Sequence, residues 1–475
     1  MTGLDRPGRR HHAQGWSRRR LLRSLAAVGA GLPATLGCQA PSRAASVPDY
    51  RRPGDRDDSA AVLRAMDAAS TIHFPAGQGM ASDGAYLLHE VPLRSGSTVH
   101  GDGPGSVLRA TAADTKAVLA AVSASTAAPL RDIVVRDLTI EGRVAQTGFR
   151  EHWNTFQVSG VDGLKIERVA FVGFAGDGLC LCAEVAHAVG RDPRVIRNVL
   201  VSDCLFDGVA NDNRNAISVT GGADITIDRC RFRRCTRPTM PGPIDFEPDP
   251  FPFYRLERLR VTNCDFEDCG GNVGQIAVIV PAIVPPPRGV LIANNRFRRY
   301  RGSGGDIAVS INREPDAGTR PMDCVIERNT GTDGYGGIHL FSGRGITVRD
   351  NHWTGYSGRG FVGYDAPDAG VRDVTVSDRF DRCGWRDGVA LAVYKGDGVR
   401  LSGNRFTATG NNGAGSAPLY LGTGRIRRLA LVDNDFRGNP DARGLIIVER
   451  GADYLTATGE VTGNLLPDKR RLPLQ

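Results

Sequence analysis

No apolar run in this chain approaches the roughly 18 to 20 residues that a membrane-spanning helix needs. The nearest candidate, Leu25 to Leu36, is short, so no spanning helix is expected. A 3.6-residue apolar period is also missing, and 60 Gly and 27 Pro in 475 residues leave no room for a coiled coil. Positive charge is less abundant than the formal +8 suggests. Residues 1–37 hold seven Arg and one Asp, so without them the net charge falls to about +2. The basic balance is therefore no sign of a nucleic-acid partner. Cys180-x-Cys182 has no second cysteine pair to complete a zinc pattern, so no structural zinc is expected there.

What the N-terminus does have is Ser17-Arg18-Arg19-Arg20-Leu21-Leu22-Arg23, followed by small and apolar residues through Gly37. This resembles a twin-arginine export signal, which implies folding before translocation and later residence outside the cytoplasm. Gly37-Cys38 resembles the end of a lipoprotein cleavage box, although Thr35 stands where such boxes carry Leu. Lipid anchoring at Cys38 and simple cleavage near Ala40 or Ala45 are the two alternatives. The expected organisation is a signal peptide over 1–37, a linker over 38–48, an N-terminal cap and first coils over 49–110, a solenoid over 111–465 and a tail over 466–475.

From about residue 131 one short pattern recurs: an apolar strand, a polar turn residue, a spacer, then an aromatic. Its copies include Cys204-Leu205-Phe206, Cys230-Arg231-Phe232, Cys264-Asp265-Phe266, Asn295-Arg296-Phe297, Asn351-His352-Trp353, Asn404-Arg405-Phe406 and Asn434-Asp435-Phe436. Looser copies stand at Phe171, Asn329, Asp378 and Asn464, and the steps run from 22 residues (329 to 351) to 35 (169 to 204). Variable periods in this range mark a solenoid whose coils stack while their loops differ. A propeller period runs nearer 40 to 45, and a leucine-rich horseshoe would place helices between its strands. An inward Asn at a tight bend can satisfy backbone groups and bond its neighbours above and below, and a small buried Cys can fill the same slot. The fold class is therefore all-β, a single-stranded right-handed parallel β-helix, with a short capping helix after Asp58 or Ser59.

The Asp57-Asp58 pair with its helix, the strand at Ile72-His73-Phe74 and Ser97 to Ser106 resemble the entry of the pectate-lyase-like β-helix superfamily. There a helix covers the open end of the first coil and blocks edge-to-edge pairing. In that superfamily one strand face, walled by long loops, forms a polysaccharide groove. The matching strands here carry Ile217, Ile244, Phe246, Ile307 and Ile338 inward. Ser218, Asp245, Glu247, Ser310, Asn312 and His339 then point outward, about 4.8 Å apart from coil to coil. Loops at 172–197, 207–214, 236–242 and 279–289 flank this face.

Pro243-Ile244-Asp245-Phe246-Glu247-Pro248-Asp249-Pro250 is the least ordinary stretch. Asp245 and Glu247 leave the same strand face about 7 Å apart. Paired carboxylates at such a distance suit glycoside hydrolysis, one protonating the leaving oxygen and the other activating water or attacking the sugar. Repulsion between them raises one pKa. The same pair could instead hold Ca²⁺, with Asn215 or Asn312 nearby, for a polyuronate lyase or C5-epimerase. That chemistry also needs a base, from His339, Tyr364, Arg214 or Lys395. The Tyr-Gly-Phe-Asp-Pro-His-Glu motif of alginate epimerases is absent from the chain. A solvated acidic patch is the plain alternative.

Asp177 is a third candidate acid, and equally an ordinary turn residue. Arg214 and Asn215 are candidates to bind a sugar, Arg214 through a bidentate contact with an anionic one. Asp249, Asn312, Tyr364, Tyr394 and Trp385 are candidate sugar contacts, the aromatics by stacking. Cys204, Cys230 and Cys264 are expected as buried thiols, and Cys235 and Cys269 come within disulfide range on neighbouring coils. The expected function is an exported, monomeric, polysaccharide-cleaving enzyme. It acts either without a cofactor or, in the lyase alternative, with Ca²⁺, and it reaches a membrane only through a lipid on Cys38. A non-catalytic β-helix that binds glycan or displays loops is the remaining alternative.

Overall fold

The computed structural model describes residues 44–111, 115–183, 194, 196–209, 212–311, 321–364, 370–410, 416–422, 426–439, 444–449 and 459–467. The twin-arginine segment, Cys38 and Asn312 lie outside them.

Within these residues every strand pairing is parallel, and each coil lies on the next. The strands form a 25-stranded sheet bent into two faces and a 13-stranded sheet that makes a third. The short helix Ser59–Ala68 turns Ala61, Val62, Ala65 and Met66 into the core at the N-terminal end. Asp58 stands at its N-cap, where its backbone carbonyl accepts from Val62 N but its side chain does not bond the helix. Its buried carboxylate instead accepts from Arg51 Nε at 2.8 Å, Met80 N at 3.0 Å and Leu87 N at 2.9 Å, tying three segments together.

The coil signature is the corner between the first two faces. Asn295 Oδ1 accepts the Cys264 backbone N–H at 2.9 Å, and Asn329 and Asn351 repeat this toward the coil before them. Asp378, Asn404, Asn434 and Asn464 continue the column. Each Asn amide also donates to a strand carbonyl of the preceding coil, as Asn329 does to Ile292 at 3.0 Å. Cys204, Cys230 and Cys264 fill the same slot in earlier coils, their thiols reaching Ile166, Val201 and Ile227 carbonyls. Two residues later the aromatics stack, with Phe171, Phe206, Phe232, Phe266 and Phe297 at centroid spacings of 4.6–5.2 Å. Gly331 breaks the column for a reason: a Cβ there would meet Tyr356 Oη at 2.0 Å and the Trp353 ring at 2.6 Å. Trp353 of the following coil fills that space.

Immediately before most corner residues the chain enters the left-handed region, as at Asp137, Arg168, Asp203, Arg229, Asn263, Asn294, Arg328 and Asp350, whereas Ser377 before Asp378 does not. These positions also stack, and the charges of the first four, Asp137, Arg168, Asp203 and Arg229, alternate in sign. Arg168 grips Asp137 through two nitrogens, and Arg229 grips Asp203 in the same way.

Asp378 is the one carboxyl in the Asn column. Burial pushes it up to about 7, against hydrogen bonds from Asn351 and Trp353 that favour its charged form. A carboxyl whose folded pKa lies above its unfolded value withdraws stability as pH rises from about 4 through about 7. Asp378→Asn removes that penalty while keeping the ladder shape, at the cost of a long 3.3 Å bond from Trp353 Nε1. We expect the variant to exceed the parent in stability above pH 7 by on the order of a few kcal/mol. The two should converge near pH 4 in urea titrations across that range. A constant difference at all pH values would refute the assignment.

Candidate functional site

The third face fixes the register of the site. Its pairings align Gln157, Cys180, Ser218, Asp245, Ala277, Ala308, His339, Val362, Ala392 and Tyr420 into one outward row. Ile217, Ile244, Ile276, Ile307 and Ile338 beside them face the core. Outward does not mean exposed, however. Asp245 is 1% accessible and His339 4%. Glu247, two residues on, is only half-buried.

Asp245 is the anomaly. Neither carboxylate oxygen meets a hydrogen-bond donor, although buried carboxylates are normally paired. Burial pushes its pKa well up, the negative charge of Glu247 and that of Asp177 add to this, and only Arg214 opposes. Burial and the neighbouring negative charge thereby favour the protonated form of Asp245. Arg214 Nη1 holds both oxygens of Asp177, at 2.7 and 2.8 Å, and lies within the field of Asp245. Burial raises the Asp177 pKa, partly offset by Arg214. Glu151, from a loop that the sequence reading passed over, adds negative charge to this group. Asn215 is buried behind it, donating to the Gly242 carbonyl at 2.9 Å.

Asp249 is exposed and lies in a loop with an aromatic cluster that sequence reasoning missed. Phe251 is 45% exposed and stacks on Phe253 at 5.3 Å. Tyr254 anchors the loop by donating to the Ala183 carbonyl at 2.6 Å. The PFPFY spacing was the available signal.

His339 lies three coils from Asp245, about 14 Å along the same row. Its ring leans over two glycines, so that a Cβ on Gly336 would meet His339 Nε2 at 2.2 Å. Burial, helped by Arg359, pushes its pKa down to about 4, which leaves the imidazole neutral. Gly336→Ala must expel this ring. We expect a loss of about 1–3 kcal/mol in urea unfolding, with the His339 proton resonances shifted, and an unperturbed ring would refute the packing.

Tyr364 and Tyr394 do not offer ring faces to a sugar. Tyr364 is sandwiched between Phe341 at 4.6 Å and Tyr394 at 6.2 Å, with near-parallel planes, so only its edge and hydroxyl face outward. One ring per coil on adjacent parallel strands forces this. Trp385, 55% exposed in a neighbouring loop, keeps a free face.

Cys180 and Cys182 are bonded to each other, while Cys235 and Cys269 are free buried thiols. Among the described residues no cluster of three or more His, Cys, Asp or Glu could hold a metal ion. Ca²⁺ takes six to eight oxygens, and Asp245 and Glu247, beside the cationic Arg214, do not supply such a set. The described residues do not fit a calcium site.

Residues 288–464 match the family model for a right handed beta helix region. No curated protein matches the chain in sequence. Among solved structures, the bacteriophage phi29 gene product 12 is similar over 90% of this chain and 57% of that one, at 13% identity and a TM-score of 0.52. The Agl-KA catalytic domain is similar over 91% and 70%, at 12% identity and a TM-score of 0.51. The A-module of mannuronan C-5 epimerase AlgE6 from Azotobacter vinelandii aligns over 90% and 100%, at 14% identity and a TM-score of 0.44. At such identities the likeness concerns architecture, and with the coil geometry it gives this chain a right-handed parallel β-helix fold.

Proposed function

We propose that this protein is an exported carbohydrate-active enzyme that cleaves glycosidic bonds of a polysaccharide over the third face. The observation that carries the reading is Asp245, a buried carboxyl without a donor, beside the half-buried Glu247. Glu247 is the member that meets a sugar. The proton shared with Asp245 passes through it to the leaving oxygen, after which the ionised pair accepts a proton from the attacking water. Asp177, fixed by Arg214, keeps the local field negative, which favours an oxocarbenium-like transition state. The exposed Phe251 supplies an apolar face beside Asp249 for a pyranose ring. Export rests on the twin-arginine-like segment at Ser17 to Arg23.

The test is incubation with neutral and acidic polysaccharides, following reducing ends and the ultraviolet absorbance of unsaturated uronates, with and without a chelator. Reducing ends without that absorbance support hydrolysis. Absorbance abolished by chelation would replace this reading with the calcium-assisted lyase. Retained glycan binding with neither signal would make the protein a binding module.

A further inference from the structure

Cys180 and Cys182 are the one bonded pair of cysteines among the described residues, where seven further thiols are free. Those seven are sealed. All are buried. Burial pushes the Cys204, Cys230 and Cys235 thiols well up, and those of Cys324 and Cys383 up to about 12, so they stay protonated and unreactive. The bonded pair differs in access. Cys180 is buried while Cys182 is half-buried, so solvent meets the pair at Cys182.

The place of this bond in the chain argues against a stabilising role. Joining two residues across a single intervening one closes a minimal loop, which takes little entropy from the unfolded chain. The folded strand does not need the bond either. Leu179–Leu181 is paired on both sides, to Phe156, Gln157 and Val158 and to Ile217, Ser218 and Val219. Cys182 N donates to the Val158 carbonyl at 2.9 Å, Ala183 N to Thr220 Oγ1 at 2.8 Å, and Tyr254 Oη to the Ala183 carbonyl at 2.6 Å. These contacts hold the backbone in place when the sulfurs part. Side chains two residues apart leave the same face of a strand, so the opened thiols remain neighbours and can close again.

We propose that Cys180 and Cys182 form a thiol–disulfide exchange site on the third face, which opens and closes in exchange with small thiols of the glutathione class. An incoming thiolate attacks Cys182 Sγ, the S–S bond breaks, and its electron pair leaves on Cys180 Sγ, which takes a proton. A second thiolate attacks the incoming sulfur of the mixed disulfide and frees Cys182 as a thiolate, which is protonated in turn. Two external thiols become one disulfide as the protein pair is reduced, and the reverse sequence oxidises the pair. Cys180 lies in the outward row of Ser218 and Asp245, and Cys182 follows Leu181 as Glu247 follows Phe246. The pair is therefore two coils, about 10 Å, from the two carboxylates, and its redox state alters the surface that adjoins them. The exchange itself does not depend on those carboxylates cleaving a glycan.

The full chain is equilibrated in glutathione buffers of graded reduced-to-oxidised ratio, quenched with acid, alkylated and mapped by peptide mass. Residues 180 and 182 should open together and reversibly with that ratio while the circular dichroism of the fold stays unchanged. The seven buried thiols should label only after unfolding in urea. In Cys180→Ser, oxidised glutathione should remain on Cys182 as a stable mixed disulfide. In Cys182→Ser, the same adduct on the buried Cys180 should form roughly 10-fold more slowly. Matching thermal melts establish that the variants fold, and a variant that fails to fold leaves the parent's titration as the deciding measurement. The proposal is overturned if the bond survives every ratio until urea unfolds the chain, or if both cysteines alkylate in the fully oxidised parent. It is equally overturned if the two variants take up glutathione at one rate.

Discussion

Replacing Glu247 by Gln is expected to lower glycan cleavage about 10³-fold, mainly in kcat, with the melting temperature unchanged. General acid–base groups typically contribute 10²–10⁴-fold, and Glu247 is the member of the pair that reaches solvent. Asp245→Asn keeps the size and a hydrogen-bond donor for Glu247, but it cannot pass on a proton. Its expected loss is about 10²-fold, with the limb of the pH–rate profile that reports the shared proton flattened. The two variants differ in a second readout. A carboxyl buried without a donor opposes folding, because burial and the Glu247 charge raise its pKa, so its stability contribution declines as pH rises above the unfolded value. Asp245→Asn should therefore be at least as stable as the parent at neutral pH while being less active. That pairing of effects belongs to a site whose geometry is held against its own stability. If both variants cleave at parental rates, the carboxylate pair has no catalytic role.

How much of this was legible in the sequence varied with the range of the forces involved. The corner signature is local. An Asn or Cys followed two residues later by an aromatic recurs from coil to coil because most coils meet the same bend, and the register of the third face followed from alternation alone. Asp245 and Glu247 were found that way. The burial of Asp245 was not, because alternation gives a side chain's direction and not what packs over it. The alternating Asp–Arg columns were missed for a related reason. Arg168 and Asp137 are 31 residues apart and Arg229 and Asp203 are 26 apart, so no fixed spacing marks them. The stacking of Tyr364 and Tyr394 on each other was hidden because alternation gives a side chain's direction but not which neighbour occupies its face.

The column itself makes the largest stability prediction, at Asn329. This side chain makes four hydrogen bonds inside the protein: its Oδ1 accepts from Asn295 N and from Asn295 Nδ2, each at 3.0 Å, and its amide donates to the Ile292 carbonyl at 3.0 Å and to Asn351 Oδ1 at 2.9 Å. Asn329→Ala leaves two donors of Asn295 and the Ile292 carbonyl buried without partners, and too little space opens for water to replace them. Each such group costs about 1–3 kcal/mol, so a total on the order of 3–6 kcal/mol is expected in urea unfolding. Asn329→Cys should cost less. Cysteine fills this slot at residues 204, 230 and 264, and sulfur accepts weakly, although it leaves the Asn295 amide poorly served. Because neighbouring coils carry each other's bonds, the damage should spread along the axis, and faster amide exchange is expected at Asn295 and Ile292 as well as at Asn329. A cost below about 1 kcal/mol for the Ala variant, typical of a surface site, would mean that the stacked aromatics hold the corner and that the amide column merely follows it.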